Sequence, residues 1–167
     1  MISTEFDGNI IRSYDLCNTA ISICNYMKKI KEQTPAVLAI IIRGDKFLFT
    51  KRNKKNRFEP EKWGFVGEAI HFGEDLTDGL KRGIKEETNL DLKSWDLFNA
   101  YSFQFDSSDK LRHAIIVAYI CRCDGEVEIN HESEDYGWYT IDKGKKLDLI
   151  EGNKKIINDL EKFFNNS

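Results

Sequence analysis

The chain has 167 residues, a formal charge of -3 and an apolar fraction of 41% with three tryptophans, which fits one domain with a real core and a terminal extension. That charge supplies no field for a nucleic-acid polymer, and the longest apolar run, Ala36 to Ile42, is far too short to cross a bilayer. Neither the Cys17/Cys24 nor the Cys121/Cys123 spacing is C-x-x-C, and no charged-apolar-small segment opens the chain, so reduced thiols in a cytoplasmic protein are expected.

Residues 1–14 alternate weakly and suit an arm or a short strand. From Asp15 to Gln33, the positions Leu16, Ala20, Ile23, Met27 and Ile30 recur at three and four, predicting an amphipathic helix with Lys28, Lys29 and Lys31 near its end, where cations suit the dipole. Its stripe packs on the domain or joins a homodimer interface. Residues 1–34 thus form an N-terminal extension and 35–167 the main domain. Ala36 to Arg43 has the pattern of a buried strand, Gly44-Asp45-Lys46 a turn, and Phe47 to Lys51 a second strand. Lys51, Arg52, Lys54, Lys55 and Arg57 make a basic run into the polar stretch 53–62, either a solvated loop or a holder of phosphates.

Asp75 is placed to cap a helix with Asp78 three residues on, and Leu76, Leu80 and Ile84 mark its inward face. Gly79 and Gly83 inside it each cost about 1 kcal/mol of helix propensity relative to Ala, which demands a packing or site reason. Leu97 to Phe105, Ala114 to Arg122 and Gly137 to Ile141 read as strands around the polar turns 106–110 and 130–135. Asn153 to Phe164 closes the chain as an amphipathic helix through Ile156, Ile157, Leu160 and Phe163. A mixed sheet between helices, an α/β fold, is the expected assembly.

The densest chemistry lies between Trp63 and Leu90, a glycine-punctuated loop feeding a helix that ends in Glu86-Glu87. This stretch resembles the Nudix box, G-x5-E-x7-R-E-U-x-E-E-x-G-U with U a bulky aliphatic, at Glu74, Arg82, Ile84, Glu86, Glu87 and Leu90. Trp63-Gly-Phe before it and Phe72-Gly-Glu within it also look like the family. Three positions depart. Glu68 stands for the first glycine, directly after Gly67; Gly83 replaces the glutamate that follows the arginine; Asn89 replaces the late glycine, a mild change because Asn tolerates the left-handed conformation that ends helices.

The resemblance implies a Nudix-like α/β/α sandwich and hydrolysis of a nucleoside diphosphate linked to another group, a nucleotide or nucleotide sugar, with water attacking phosphorus. It implies Mg²⁺, or Mn²⁺, held by Glu86 and Glu87 with backbone around Gly67; such an ion neutralises diphosphate charge and deprotonates water. Glu87 is thereby part of the catalytic set. Glu74 and Arg82 are structural in the motif, tying loop to helix. Arg52, Arg57 and Glu68 are substrate-binding candidates. Glu68 either crowds the site or offers it a replacement carboxylate.

Gly83 accepts no proton, so a general base is expected from the segment His131-Glu132-Ser133-Glu134-Asp135, with Glu134 first and His131 second, and His71 a further candidate. Two other functions compete. Glu134-Asp135-Tyr136-Gly137-Trp138 resembles the loop of a glycosyl-hydrolase branch similar to GDP-mannose mannosyl hydrolase, although that branch loses the first glutamate of the pair and Glu86 is kept here. Loss of the glutamate at Gly83 also suits a catalytically weak or inactive Nudix domain that binds a nucleotide. No nucleic-acid polymer or membrane is expected as a partner.

Overall fold

The structure is a computed structural model that describes residues 4–6, 9–11, 30–106 and 110–166. Two compact units divide the chain, one comprising Met1–Glu32 with Gln104–His113, the other Gln33–Phe103 with Ala114–Ser167. In the first, Thr4–Phe6 (β1) and Asn9–Ile11 (β2) pair antiparallel. The second holds the core and every candidate site residue.

A seven-stranded sheet is built from Ile30–Arg43 (β3), Lys46–Arg52 (β4), Trp63–Gly64 (β5), Val66–Ala69 (β6), Asp91–Asp106 (β7), Lys110–Asp124 (β8) and Ser133–Tyr139 (β9). Its order is β5-β4-β3-β8-β7, with β6 added to β3 and β9 to β4. The ladders β3/β4, β3/β6, β4/β5 and β4/β9 are antiparallel, and a parallel bridge joins Trp63 to Leu149, so the sheet is mixed.

Strand β3 is buried on both faces because successive side chains point opposite ways. Val37, Ala39 and Ile41 pack with Leu80 and Ile84 of Leu76–Thr88 (α1), while Leu38 and Ile40 pack with Ile156, Ile157 and Leu160 of Glu151–Asn165 (α3). Two helices thus cover opposite faces of one sheet, the expected α/β/α arrangement.

Several element boundaries differ from the sequence expectation. Residues 30–33 open β3 instead of ending a helix, and the rest of that expected helix lies outside the described residues. Here Lys31 to Ala36 alternate in exposure as a strand does, and Pro35, which has no N–H to give, contributes its carbonyl to the Ile70 N–H at 3.0 Å. Strand β9 starts at Ser133, so Glu134 and Asp135 belong to a strand and not to a turn, and Ile141 opens a short helix, Ile141–Gly144 (α2). Leu76 is exposed and not inward, since the buried row of α1 begins at Gly79. No helix among the described residues is long and apolar enough to cross a membrane.

The approach to the box is held from α3. Asn153, itself buried, accepts the Phe65 N–H through Oδ1 at 2.9 Å, while Trp63 N–H donates to Asp148 O and Ile150 N–H to Trp63 O. Asn153→Ala leaves the buried Phe65 N–H without that acceptor. Urea unfolding should show a loss of about 1–3 kcal/mol with an unchanged m-value.

Candidate functional site

The site grows from the meeting of β6 with α1. Val66 opposes Ala39 and Glu68 opposes Val37 across the β3/β6 ladder, so the alternate residues Val66 and Glu68 project to the face that α1 covers. Gly79, Gly83 and Glu87 stand four apart on the buried side of α1. A Cβ on Gly79 would lie 2.4 Å from Ile70 Cδ1, and one on Gly83 would lie 2.5 Å from Glu68 Cβ and 3.0 Å from its Cγ. Ile70 and Glu68 therefore fill the room that these glycines leave, which is the packing reason the two residues needed.

Arg82 ties the loop to the helix. Its Nε and one terminal nitrogen donate to the two carboxylate oxygens of Glu74 at 2.8 and 2.9 Å, and that terminal nitrogen also donates to Ala69 O at 2.9 Å. Glu74 accepts the His71 N–H as well, and these charge-assisted bonds, the arginine's first, hold its carboxyl down at about 2. The same hydrogen bonds raise the guanidinium of Arg82 above its usual range. The other terminal nitrogen of Arg82 lies 3.3 Å from Glu68 and 3.5 Å from Glu86. Asp75 caps α1 by accepting the Thr77 N–H and hydroxyl, and Asn89 ends it in the left-handed conformation at φ 57°.

Glu87 is the unusual group. It is only 8% exposed, and its Oε1 has no hydrogen-bond partner among the described residues. Burial, with added repulsion from Glu132, Glu68 and Glu86, pushes its carboxyl up to about 8, while Arg52 pulls the other way. The Nε of Arg52 is likewise buried without a hydrogen-bond partner. Burying polar atoms unpaired is costly, so a carboxylate and a guanidinium left this way in one electrostatic neighbourhood suit a cation and an anion arriving together.

The expected site residues separate on the fold. Arg52, Glu68, Glu86 and Glu87 fall into this neighbourhood. Gly67 sits exposed on β6 opposite Leu38. Arg57 is exposed on the loop 53–62, and His71 is exposed on the box loop. Glu134 pairs with Lys51 at 2.7 Å across β4 and β9, and that bond holds its carboxyl below the usual range. His131 lines a shallow cleft with Asn53, Lys55, Asn56 and Glu132.

Glu132 is the carboxylate that sequence reasoning passed over. Its carbonyl accepts from Asn53 N–H at 2.8 Å and Asn56 Nδ2 at 2.9 Å, and its N–H donates to Asn130 Oδ1 at 2.9 Å, which pins this turn to the loop after Arg52. Sequence spacing carried no signal for it, because Glu132 lies one residue before β9 and its placement is set by the bonds to Asn53, Asn56 and Asn130.

Residues 32–160 match the model of the NUDIX domain. The chain is 31% identical over 129 residues to the 8-oxo-dGTP diphosphatase of Buchnera aphidicola subsp. Schizaphis graminum, covering 77% of this chain and 94% of that one. The chain belongs to the Nudix family. Its fold is similar to a MutT NUDIX hydrolase from Burkholderia pseudomallei, with a TM-score of 0.66 at 22% identity over 76% of this chain and 97% of that one. It is similar also to a MutT protein from Methanosarcina mazei Go1, with a TM-score of 0.63 at 22% identity over 81% and 96%. This Nudix protein is a hydrolase, and hydrolysis of a nucleoside-diphosphate linkage fits it. Hydrolases of the family generally use divalent metals.

Among the described residues no three His, Cys, Asp or Glu side chains converge as a ready-made ligand set, and Arg82 lies between Glu68 and Glu86. The carboxylate oxygens are nevertheless hard donors of the kind Mg²⁺ takes, and the orphaned Oε1 of Glu87 is the atom an ion would satisfy.

Glu87 predicts a pH dependence. Its folded value near 8 lies above the ordinary 4.5, so its stabilising contribution is complete below about pH 4.5 and is lost as pH rises through 8. In EDTA, Glu87→Gln should remove that decline and stabilise the protein by about 1–3 kcal/mol at pH 8, read by urea unfolding from pH 5 to 9. An unchanged pH profile in the variant would show that the carboxylate is not buried and unpaired in solution.

Proposed function

We propose that this Nudix hydrolase is a divalent-metal-dependent pyrophosphohydrolase in which water attacks phosphorus, with a nucleoside triphosphate as its substrate class. The supporting observation is the pair of buried, unpartnered polar atoms of opposite sign, Glu87 Oε1 and Arg52 Nε, beside the helix that carries the box. The relative named 8-oxo-dGTP diphosphatase supports a nucleoside triphosphate as the substrate to try first.

In this reading Glu86 and Glu87 hold Mg²⁺ or Mn²⁺, with the backbone around Gly67 beside them. The ion's chemistry when bound is to neutralise phosphate charge and lower the pKa of water. Arg52 binds a phosphate oxygen, and Arg57 on the adjoining loop is a second phosphate contact. Glu74 and Arg82 fix the loop against the helix so that the carboxylates stay aimed. A carboxylate oxygen of Glu132 accepts the proton of the attacking water, as the exposed carboxylate whose charge acts most strongly on Glu87. Water adds to phosphorus as the bridging P–O bond breaks, and the departing phosphate carries away the bond's electron pair. Retention of Glu86 and the Lys51 partner of Glu134 favour phosphorus over a sugar carbon as the point of attack.

Nucleoside triphosphates and nucleotide sugars should be screened with Mg²⁺ or Mn²⁺ in ¹⁸O-labelled water. Attack at phosphorus puts the label in a phosphate product; label in a free sugar overturns the proposal. On a verified substrate Glu132→Gln should lower kcat by roughly 10²- to 10⁴-fold with KM nearly unchanged. Glu134→Gln and His131→Asn should stay near wild-type turnover. If Glu134→Gln is the more damaging change, the base lies on β9 and Glu132 is only a turn residue.

A further inference from the structure

We propose that Glu68 and Gly83 are a reciprocal exchange, in which Glu68 of β6 supplies, through the gap left at Gly83, the carboxylate that the helix lacks, making Glu68 a third metal-binding residue beside Glu86 and Glu87. This rests on the metal-dependent reading above and adds to it a residue delivered from the strand.

Three observations carry it. First, the box pattern has glycine before the loop and glutamate after the arginine, whereas this chain has glutamate at 68 and glycine at 83. Second, the two positions touch. A Cβ on Gly83 would fall 2.5 Å from Glu68 Cβ, a distance real atoms do not adopt, so Glu68 and a side chain at 83 exclude each other in this backbone. Third, the Glu68 carboxylate acts electrostatically on Glu87, whose Oε1 is buried and unpartnered, and Arg82 already stands between Glu68 and Glu86 at 3.3 and 3.5 Å. Two carboxylates that share one cationic nitrogen, and an unpartnered buried carboxylate oxygen one helical turn beyond Gly83, are hard donors that a small divalent cation would draw together, although among the described residues they are not already gathered as a ligand set.

The competing role for Glu68 is that of a partner for Arg82 alone. Its contact is longer than the 2.8 and 2.9 Å bonds that tie Arg82 to Glu74. Arg82 therefore keeps its anchor when Glu68 turns toward an ion. The sheet register directs Glu68 under α1 whatever its role, so only metal affinity separates the two.

The test measures Mn²⁺ binding to the full chain by electron paramagnetic resonance and calorimetry, with circular dichroism and Tm reporting the fold. Glu68→Gln should weaken Mn²⁺ binding at least roughly tenfold, the lower end of what even outer-shell partners of metal ligands cost, with the fold retained. Gly83→Glu alone should lower Tm without tightening Mn²⁺, because the new side chain meets Glu68. The double variant Glu68→Gly, Gly83→Glu should regain both Tm and Mn²⁺ affinity to within a few-fold of wild type. Wild-type affinity in a folded Glu68→Gln, together with a large loss in Glu87→Gln, overturns the exchange and leaves the metal-dependent reading intact. Equal binding in wild type, Glu68→Gln and Glu87→Gln, or no binding by wild type, overturns both.

Discussion

The rest of the site depends on how closely α1 approaches β6. Two glycines four apart let the helix settle onto β6 and the residue that follows it, where Glu68 and Ile70 occupy the space that side chains would have taken. Their combined propensity cost, about 2 kcal/mol, is offset by the apolar contact around Ile70, Leu80 and Ile84. That contact also sets the depth of Glu87, one turn further along, because a helix held this low carries its next buried-side residue into the protein. A bulkier residue at 79 or 83 would lift the helix and with it the carboxylates.

Arg82 fixes the other degree of freedom, the path of the loop. Its fork is matched to the Glu74 carboxylate and reaches the Ala69 carbonyl too, so the chain from β6 to α1 closes on itself through one planar group. Glu74 is largely shielded, and its low carboxyl value means the clamp holds across the physiological range and loosens only as pH falls from about 4.5 toward 2. Glu87 behaves in the opposite sense. One group stabilises the fold by being charged, the other costs stability when charged, and the second is the one suited to a ligand. Such tension between stability and activity is common where function needs a desolvated charge.

The second wall of the site is made by hydrogen bonds to one backbone carbonyl in a different part of the sequence. Asn53 and Asn56 both donate to the carbonyl of Glu132, so the loop following Arg52 and the turn before β9 are joined at one residue. The pairing of β4 with β9 aligns Lys51 with Asp135 and brings the Glu134 side chain to the Lys51 ammonium. Glu132 and Glu134 therefore have different surroundings although they are two residues apart: one acts on Glu87, the other is neutralised by a lysine.

Read alone, the sequence determined the box, the two-faced burial of β3, the cap at Asp75, the left-handed end at Asn89 and the two helices that sandwich the sheet. These are local or periodic features, written in spacings of two, three and four residues. It also marked Gly79 and Gly83 as needing a reason, without giving one. Only the tertiary structure decided that the reason was Ile70 and Glu68, that Leu76 faces outward, that residues 30–33 belong to a strand, and that Glu134 is paired with Lys51 while the Glu132 turn is pinned to the loop after Arg52. Each of these turns on strand register or on contact between residues distant along the chain, and neither a period nor a propensity encodes which side chain stands opposite which.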